Sequence, residues 1–412
     1  MVKATHPSFS GQHDYPPLPK ALPEERRSRS GNPALPDGCY FIAYGFSGLP
    51  PVFVGTLRVD SRSGELSASG DLYEAAGSEN PEEPSLGEVP PPGSGVPIFP
   101  IPAYRYYLRV TGIAATESGG FTLSFEASRF LQQTVILLDG AMSSQWLPQG
   151  SFSAQMAPAA APEGYPSPEL FFTGDVAKED NLTGTMLQIG WVSPHLRKAV
   201  IEVDRIPGVE VPLDNGAGLD WQAVFNGFGW DVTAALSDSD VKKYGKPMWT
   251  ADEARAAMVA RRDSSDLDAE WRYHVLVGEN IFYKNSEQRG ATYDESTRQG
   301  LFVSSHIVFS ADDARWGPLR GKRAGESTLT FFRTAVHELG HAMGLGHDKT
   351  GFNFMRSTDE IARDAPADSP FPTNIVWSFA PEDGHRLRHW PDMVVRPGGT
   401  SLLNDNPAPL PD

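Results

Sequence analysis

HELGHAMGLGH occupies residues 337–347, and Met355 follows eight residues after its last histidine. His337 and His341 are four apart. On a helix such residues share one face, so two imidazoles can reach one ion. The upstream residues favour that helix. Ser327 or Thr328 can cap its start, and Leu329, Phe332, Val336 and Leu339 fall near helical spacing. Glu338, one residue past the first histidine, is placed to reach a water rather than the metal. Gly344 lets the backbone leave the helix in a conformation other residues avoid. A second glycine, Gly346, is expected to ease the return of His347 as third ligand. Three protein ligands leave a fourth position for water, the catalytic rather than the structural arrangement of zinc. Zinc brings the pKa of bound water to about 7. Glu338 is then the group to take the proton as a carbonyl is attacked and to hand it to the leaving amine. A purely structural zinc would want a fourth ligand, often Cys, and has no use for Glu338.

The run resembles the metzincin clan of zinc endopeptidases. HELGHAMGLGH and the Met of GFNFMRS carry the resemblance. Matrixin-like and reprolysin-like branches both stay open. The resemblance implies one catalytic Zn2+ held by His337, His341 and His347, with Glu338 as catalytic residue. It also implies a tight turn bearing Met355 beneath the ligands. Some members carry a Tyr two residues after this Met; Ser357 stands there, so a Tyr-assisted mechanism is not implied. The implied substrate is a protein or peptide lying extended beside the zinc helix. By order, residues 290–294 correspond to the edge strand that binds it, and Trp377 and Phe379 to the wall of the adjacent pocket. The alternative is a zinc-containing binding or adhesion protein without proteolytic activity. A further alternative is hydrolysis of a non-peptide amide.

Composition narrows the partners. The 412 residues carry a net charge of −17, which argues against a nucleic-acid polyanion. One cysteine, Cys39, excludes an internal disulfide. Its surroundings, LPDGC, lack the Pro-Arg-Cys-Gly order of a matrixin latency cysteine, and a buried strand position is expected. No apolar run is long enough to span a membrane. The first twenty residues contain no apolar signal core. Location is therefore read as cytoplasmic, or exported by a non-standard route. Structural calcium stays open but unsupported: nonapeptide repeats are absent, and an Asp-rich loop at 263–268 reads as solvated.

Patterning divides the chain at about 36, 195 and 395. Residues 1–36, rich in Pro, Ser and charge, read as a disordered arm. Residues 37–195 alternate with period two, as in Phe121, Leu123, Phe125 and Ala127. Hairpins are expected at 52–73 and 171–191, and about nine short strands in an antiparallel barrel or sandwich. Eight prolines between 81 and 102 interrupt the pattern. No chemistry can be named in this β-rich segment. Residues 196–395 alternate strand and helix: strands at 198–205, 231–236, 271–277, 291–294 and 301–309, and helices at 220–228 and 250–261, before the 337–347 helix. A last helix is expected from Pro381 to about Trp390. The fold class is thus α+β, a metzincin-like mixed sheet with an active-site helix, preceded by a β barrel or sandwich. Residues 396–412 read as a flexible tail. His385 and His389 have metal-compatible i,i+4 spacing without a supporting constellation, and His274 and His306 read as structural. Asp348 is a candidate for orienting a ligand or a loop.

Overall fold

The structure is a computed structural model that describes residues 35–62, 64, 66–75, 103–136, 142–179, 181–242, 248–263, 270–292 and 298–400. The expected arm up to residue 34, the proline-rich insert, most of the 263–268 loop, residues 293–294 and the tail beyond 400 lie outside it.

The chain is a β-rich α+β protein. Eight strands form a closed antiparallel barrel in sequence order: β1 Gly38–Phe46, β2 Pro51–Asp60, β3 Ser67–Glu74, β4 Tyr104–Ala115, β5 Phe121–Ile136, β6 Met142–Pro158, β7 Phe171–Lys178 and β8 Asn181–Ser193. β8 returns to pair with β1. Alternate residues point inward and fill the interior, among them Tyr40, Ile42, Leu57, Val59, Leu123 and Ile189. Cys39 is buried in β1. Among the described residues eight strands stand where about nine short ones are expected, and β5 and β6 are 16 and 17 residues long. A register shift at Ala127/Ser128 interrupts the β5–β6 ladder without ending either strand.

The chain then builds a five-stranded mixed sheet from β9 Arg197–Arg205, β10 Trp230–Leu236, β12 Arg272–Gly278, β15 Gly290–Ala291 and β16 Gly300–Ser304. The order is β10-β9-β12-β16-β15, with only β15 antiparallel to its neighbour. Helix α1 Trp221–Asn226 starts on the Asp220 cap. α2 Ala251–Arg261 starts on the reciprocal Thr250–Glu253 box that its sequence announces. The expected strand 301–309 stops at Ser304. Beyond it the backbone leaves the sheet: Ile307 and Phe309 bond to Ala324, Lys322 and Gly321 instead.

Two local features were not anticipated. β11 Met248–Thr250, β13 Asn280–Tyr283 and β14 Ser286–Gln288 form a small second sheet. The β13–β14 hairpin turns at Lys284-Asn285, both with positive φ, without the usual glycine signal. Helix α4 Thr358–Arg363 is capped by Ser357, whose side chain accepts from the Glu360 N–H. Ser357-x-x-Glu360 is therefore a helix start.

The long helix α3 Thr328–Ala342 packs on the sheet, and α5 Pro381–His389 and α6 Asp392–Val395 are the last described helices. The outer face of β2–β4 rests on α5 and α6 through polar groups. Arg58 lies 3.1 Å from Asp392, Tyr73 donates to Asp392 at 2.7 Å, and Tyr107 donates to the His389 carbonyl at 2.8 Å. No helix among the described residues is long and apolar enough to cross a membrane.

Candidate metal centre

Helix α3 begins at Ser327, whose hydroxyl accepts from the Thr330 N–H. Its core face carries Phe332, Ala335, Val336 and Leu339 into the sheet. That packing turns His337 and Glu338 inward, both under a tenth exposed. The helix ends in a Schellman arrangement: Leu345 N–H donates to Gly340 O, and Gly344 N–H to His341 O, both at 2.9 Å. Gly344 takes φ +89, and a methyl group there would also lie 2.7 Å from the Val394 carbonyl. Gly346 has open space and an ordinary φ, so the expected help from it is not needed.

The reversal brings His347 back over the helix. The three Nε2 atoms then lie 3.1–3.2 Å from one another. His337 Nδ1 is 2.7 Å from the Phe354 carbonyl and His341 Nδ1 is 2.8 Å from the Leu345 carbonyl. A carbonyl can only accept, so each Nδ1 carries the proton and each Nε2 presents a bare lone pair. Two such lone pairs repel at this distance, and a cation between them would relieve that repulsion. Tetrahedral coordination at 2.0–2.1 Å sets nitrogens about 3.3 Å apart, so the set fits a metal ion. Burial, with neighbouring His341 and Arg333, holds the His337 pKa well below its usual value, which keeps the ring neutral. Burial likewise lowers His347.

Glu338 lies beside this cluster under the edge strand. A methyl group on Gly290 would meet its Cγ at 2.6 Å, and the Thr292 hydroxyl donates to its backbone carbonyl at 3.1 Å. Burial pushes the Glu338 carboxyl up to about 8, against a hydrogen bond from the Thr292 backbone and the charge of Arg333. The charge of a bound cation would act in the lowering direction.

Met355 is fully buried beneath the helix. A methyl group on Gly340 would lie 2.3 Å from its sulfur, so glycine is what admits the methionine. Asp348 does not touch a histidine ring in the hydrogen-bond pattern. Its backbone N–H donates to Met355 O, and its carboxylate accepts from Thr350 N–H and the Asn353 amide. Against burial, these bonds hold its carboxyl below the usual range. It orders the loop between His347 and Met355.

Sequence reasoning missed Arg333. Its guanidinium is buried one turn before His337 and donates to the carbonyls of Asn353, Phe354 and Arg356 and to the Thr358 hydroxyl. It therefore fixes the turn whose Phe354 carbonyl orients His337. An arginine on the apolar face of α3 was the available signal.

A groove of about 670 Å³ opens beside His347, lined by Val376, Ser378, Phe379 and Asp383 among others. Phe379 lines it, and Trp377 packs against Phe354. The other histidines are placed elsewhere. Glu202, Asp204 and His274 converge within metal-binding distance, but their acceptors are taken. Arg272 and Asp263 N–H bond Glu202, and Asp238 N–H and His274 bond Asp204. His389 faces the barrel, 3.3 Å from the Ser69 hydroxyl and 3.6 Å from Asp60.

No known protein-family model matches this chain, and no curated protein matches it. Among solved structures, it aligns with the crystal structure of metalloproteinase-II from Bacteroides fragilis at 10% identity, over 68% of this chain and 85% of that one. The TM-score is 0.25, too loose a likeness to argue from.

Proposed function

We propose that the chain is a zinc-dependent endopeptidase of metzincin type, with His337, His341 and His347 as metal ligands and Glu338 as general base and acid. The observation that carries this reading is the convergence of three Nε2 atoms, two of them on rings whose Nδ1 protons are held by carbonyls, beside a buried carboxylate. The donor set of three neutral imidazoles suits zinc. Zinc supplies Lewis acidity and makes water a usable nucleophile near neutral pH. Glu338 accepts the proton that the attacking water gives up and returns it to the leaving amine. The Thr292 backbone N–H bonds that carboxylate and Gly290 leaves room for it, while Phe354 and Leu345 hold the His337 and His341 rings by their Nδ1 protons. β15 is the antiparallel edge strand of the sheet, where an extended peptide can add as a further strand. The groove beside His347 is then the place for one substrate side chain. In this reading the peptidase domain is 196–395, and the preceding barrel is a separate domain.

The test compares wild type with Glu338→Gln for bound metal and for cleavage of a denatured protein mixture. One zinc per chain in both, with cleavage reduced at least about 100-fold in the variant, is expected. A chelator abolishes wild-type cleavage, and zinc restores it. Undiminished cleavage by Glu338→Gln would sink the mechanism. Zinc in both with cleavage in neither would favour the binding-protein alternative.

A further inference from the structure

An eight-stranded barrel either fills with its own side chains or leaves room for one small ligand. Here the two ends differ. At one end Leu35 is buried, the Tyr40 hydroxyl donates to Pro36 O at 2.6 Å, and the Trp191 indole N–H donates to Asp37 O at 3.3 Å. That end is plugged. The other end keeps a void of about 130 Å³ walled by Tyr44, Phe53, Tyr106, Phe125, Phe152 and Leu187. Phe53 and Tyr106 meet edge-on with centroids 5.1 Å apart, and Phe125 and Phe152 stack at 5.6 Å. Tyr44, Phe53, Tyr106 and Phe152 are only half-buried. Apolar cavities of about 150 Å³ accept a single benzene ring. Rings of this kind prefer edge-on or offset partners, which the wall presents.

Charge supplies a second, independent observation. The Lys178 ammonium lies 5.5 Å from the Phe152 centroid and forms no ion pair among the described residues. We propose that the open end of the barrel binds a small aromatic carboxylate, its ring among Tyr44, Phe53, Tyr106, Phe125 and Phe152 and its carboxylate at Lys178. The same chemistry is offered by a free aromatic acid and by the C-terminal phenylalanine of a peptide. The site does not depend on the metal centre.

The test titrates the full chain with 4-fluorophenylacetate, followed by fluorine NMR. Saturable one-to-one binding is expected. Ala127, which also lines the void, is the position to fill: Ala127→Phe should abolish saturation. Lys178→Met should weaken the acid about three- to fivefold, the scale of an exposed ion pair, while 4-fluorobenzyl alcohol binds as before. Should Ala127→Phe fail to fold, Phe152→Ala enlarges the void instead and should shift preference to a naphthylacetate. Competition by Gly-Gly-Phe stronger than by unlabelled phenylacetate assigns the site to peptide C-termini; weaker competition assigns it to free acids. The proposal is overturned by absence of saturable binding in wild type. Binding that neither wall variant changes overturns it equally.

Discussion

Two glycines set the chemistry of the centre by what they leave out. Gly290 has no side chain, so the Glu338 carboxylate can lie against the edge strand; a methyl group there would stand 2.6 Å from Cγ. Gly290→Ala is therefore expected to displace the carboxylate while leaving the three imidazoles in place. Misplacing a catalytic group by about 1 Å costs on the order of 100-fold. The variant should keep its full metal content and lose kcat by that order; unchanged kcat would refute the contact's role. Neither Gly290 nor Thr292 belongs to the histidine motif, and nothing in their local sequence ties them to Glu338. By contrast, Gly340 sits inside the motif, and its reason becomes visible only with Met355 packed on it.

Helix ends and turns position the rest. Gly344 combines a positive φ with close approach to the Val394 carbonyl, so Gly344→Ala meets both strain and a backbone clash. It should cost about 1–3 kcal/mol. It should also weaken metal binding, because His347 is delivered by this turn; a competition titration with a metal-sensitive dye reads that directly. Arg333 ties α3 to the turn at 353–356 by three carbonyls. Arg333→Met leaves those buried acceptors unpaired at about 1–3 kcal/mol. Thermal melts should show the loss, and an unchanged melting temperature would contradict it. These elements were partly legible. The 250–253 capping box, the Asp220 start and the α3 start are written in local residue types. The Ser357 cap of α4, whose hydroxyl accepts from the Glu360 N–H, is equally local.

The barrel and the layered sheet meet through buried charge. Asp392 lies between Arg58 and Arg197; against burial, Arg197 and Arg58 hold its carboxyl below the usual range, while burial pushes Asp71 up. His389 is wedged beside Asp60, Ser69, His385 and Arg388, and burial lowers its pKa to about 4 despite Asp60. The unfolded chain, with an ordinary His pKa near 6.5, takes up this proton first as pH falls. Stability is thus full above about pH 6.5 and declines toward pH 4, by about 3 kcal/mol for this group. Urea midpoints at pH 7 and pH 4.5 should fall accordingly, and by less in His389→Gln. Equal slopes in both chains would remove His389 from the account.

Local sequence was enough to bring three histidines to one helix and its return, to start most of the helices, and to specify alternating strands in the first half. Those signals work because i,i+4 spacing, capping residues and period-two patterns act within a few residues. Closure of the barrel, the end of β16 at Ser304, the contact of Gly290 with Glu338 and the grip of Arg333 were decided by tertiary structure alone. So was the bond from Arg58 to Asp392, whose partners are 334 residues apart. Burial and hydrogen bonding between distant segments leave no local pattern. They are selected only when the packed chain must satisfy each polar group that it has taken out of water.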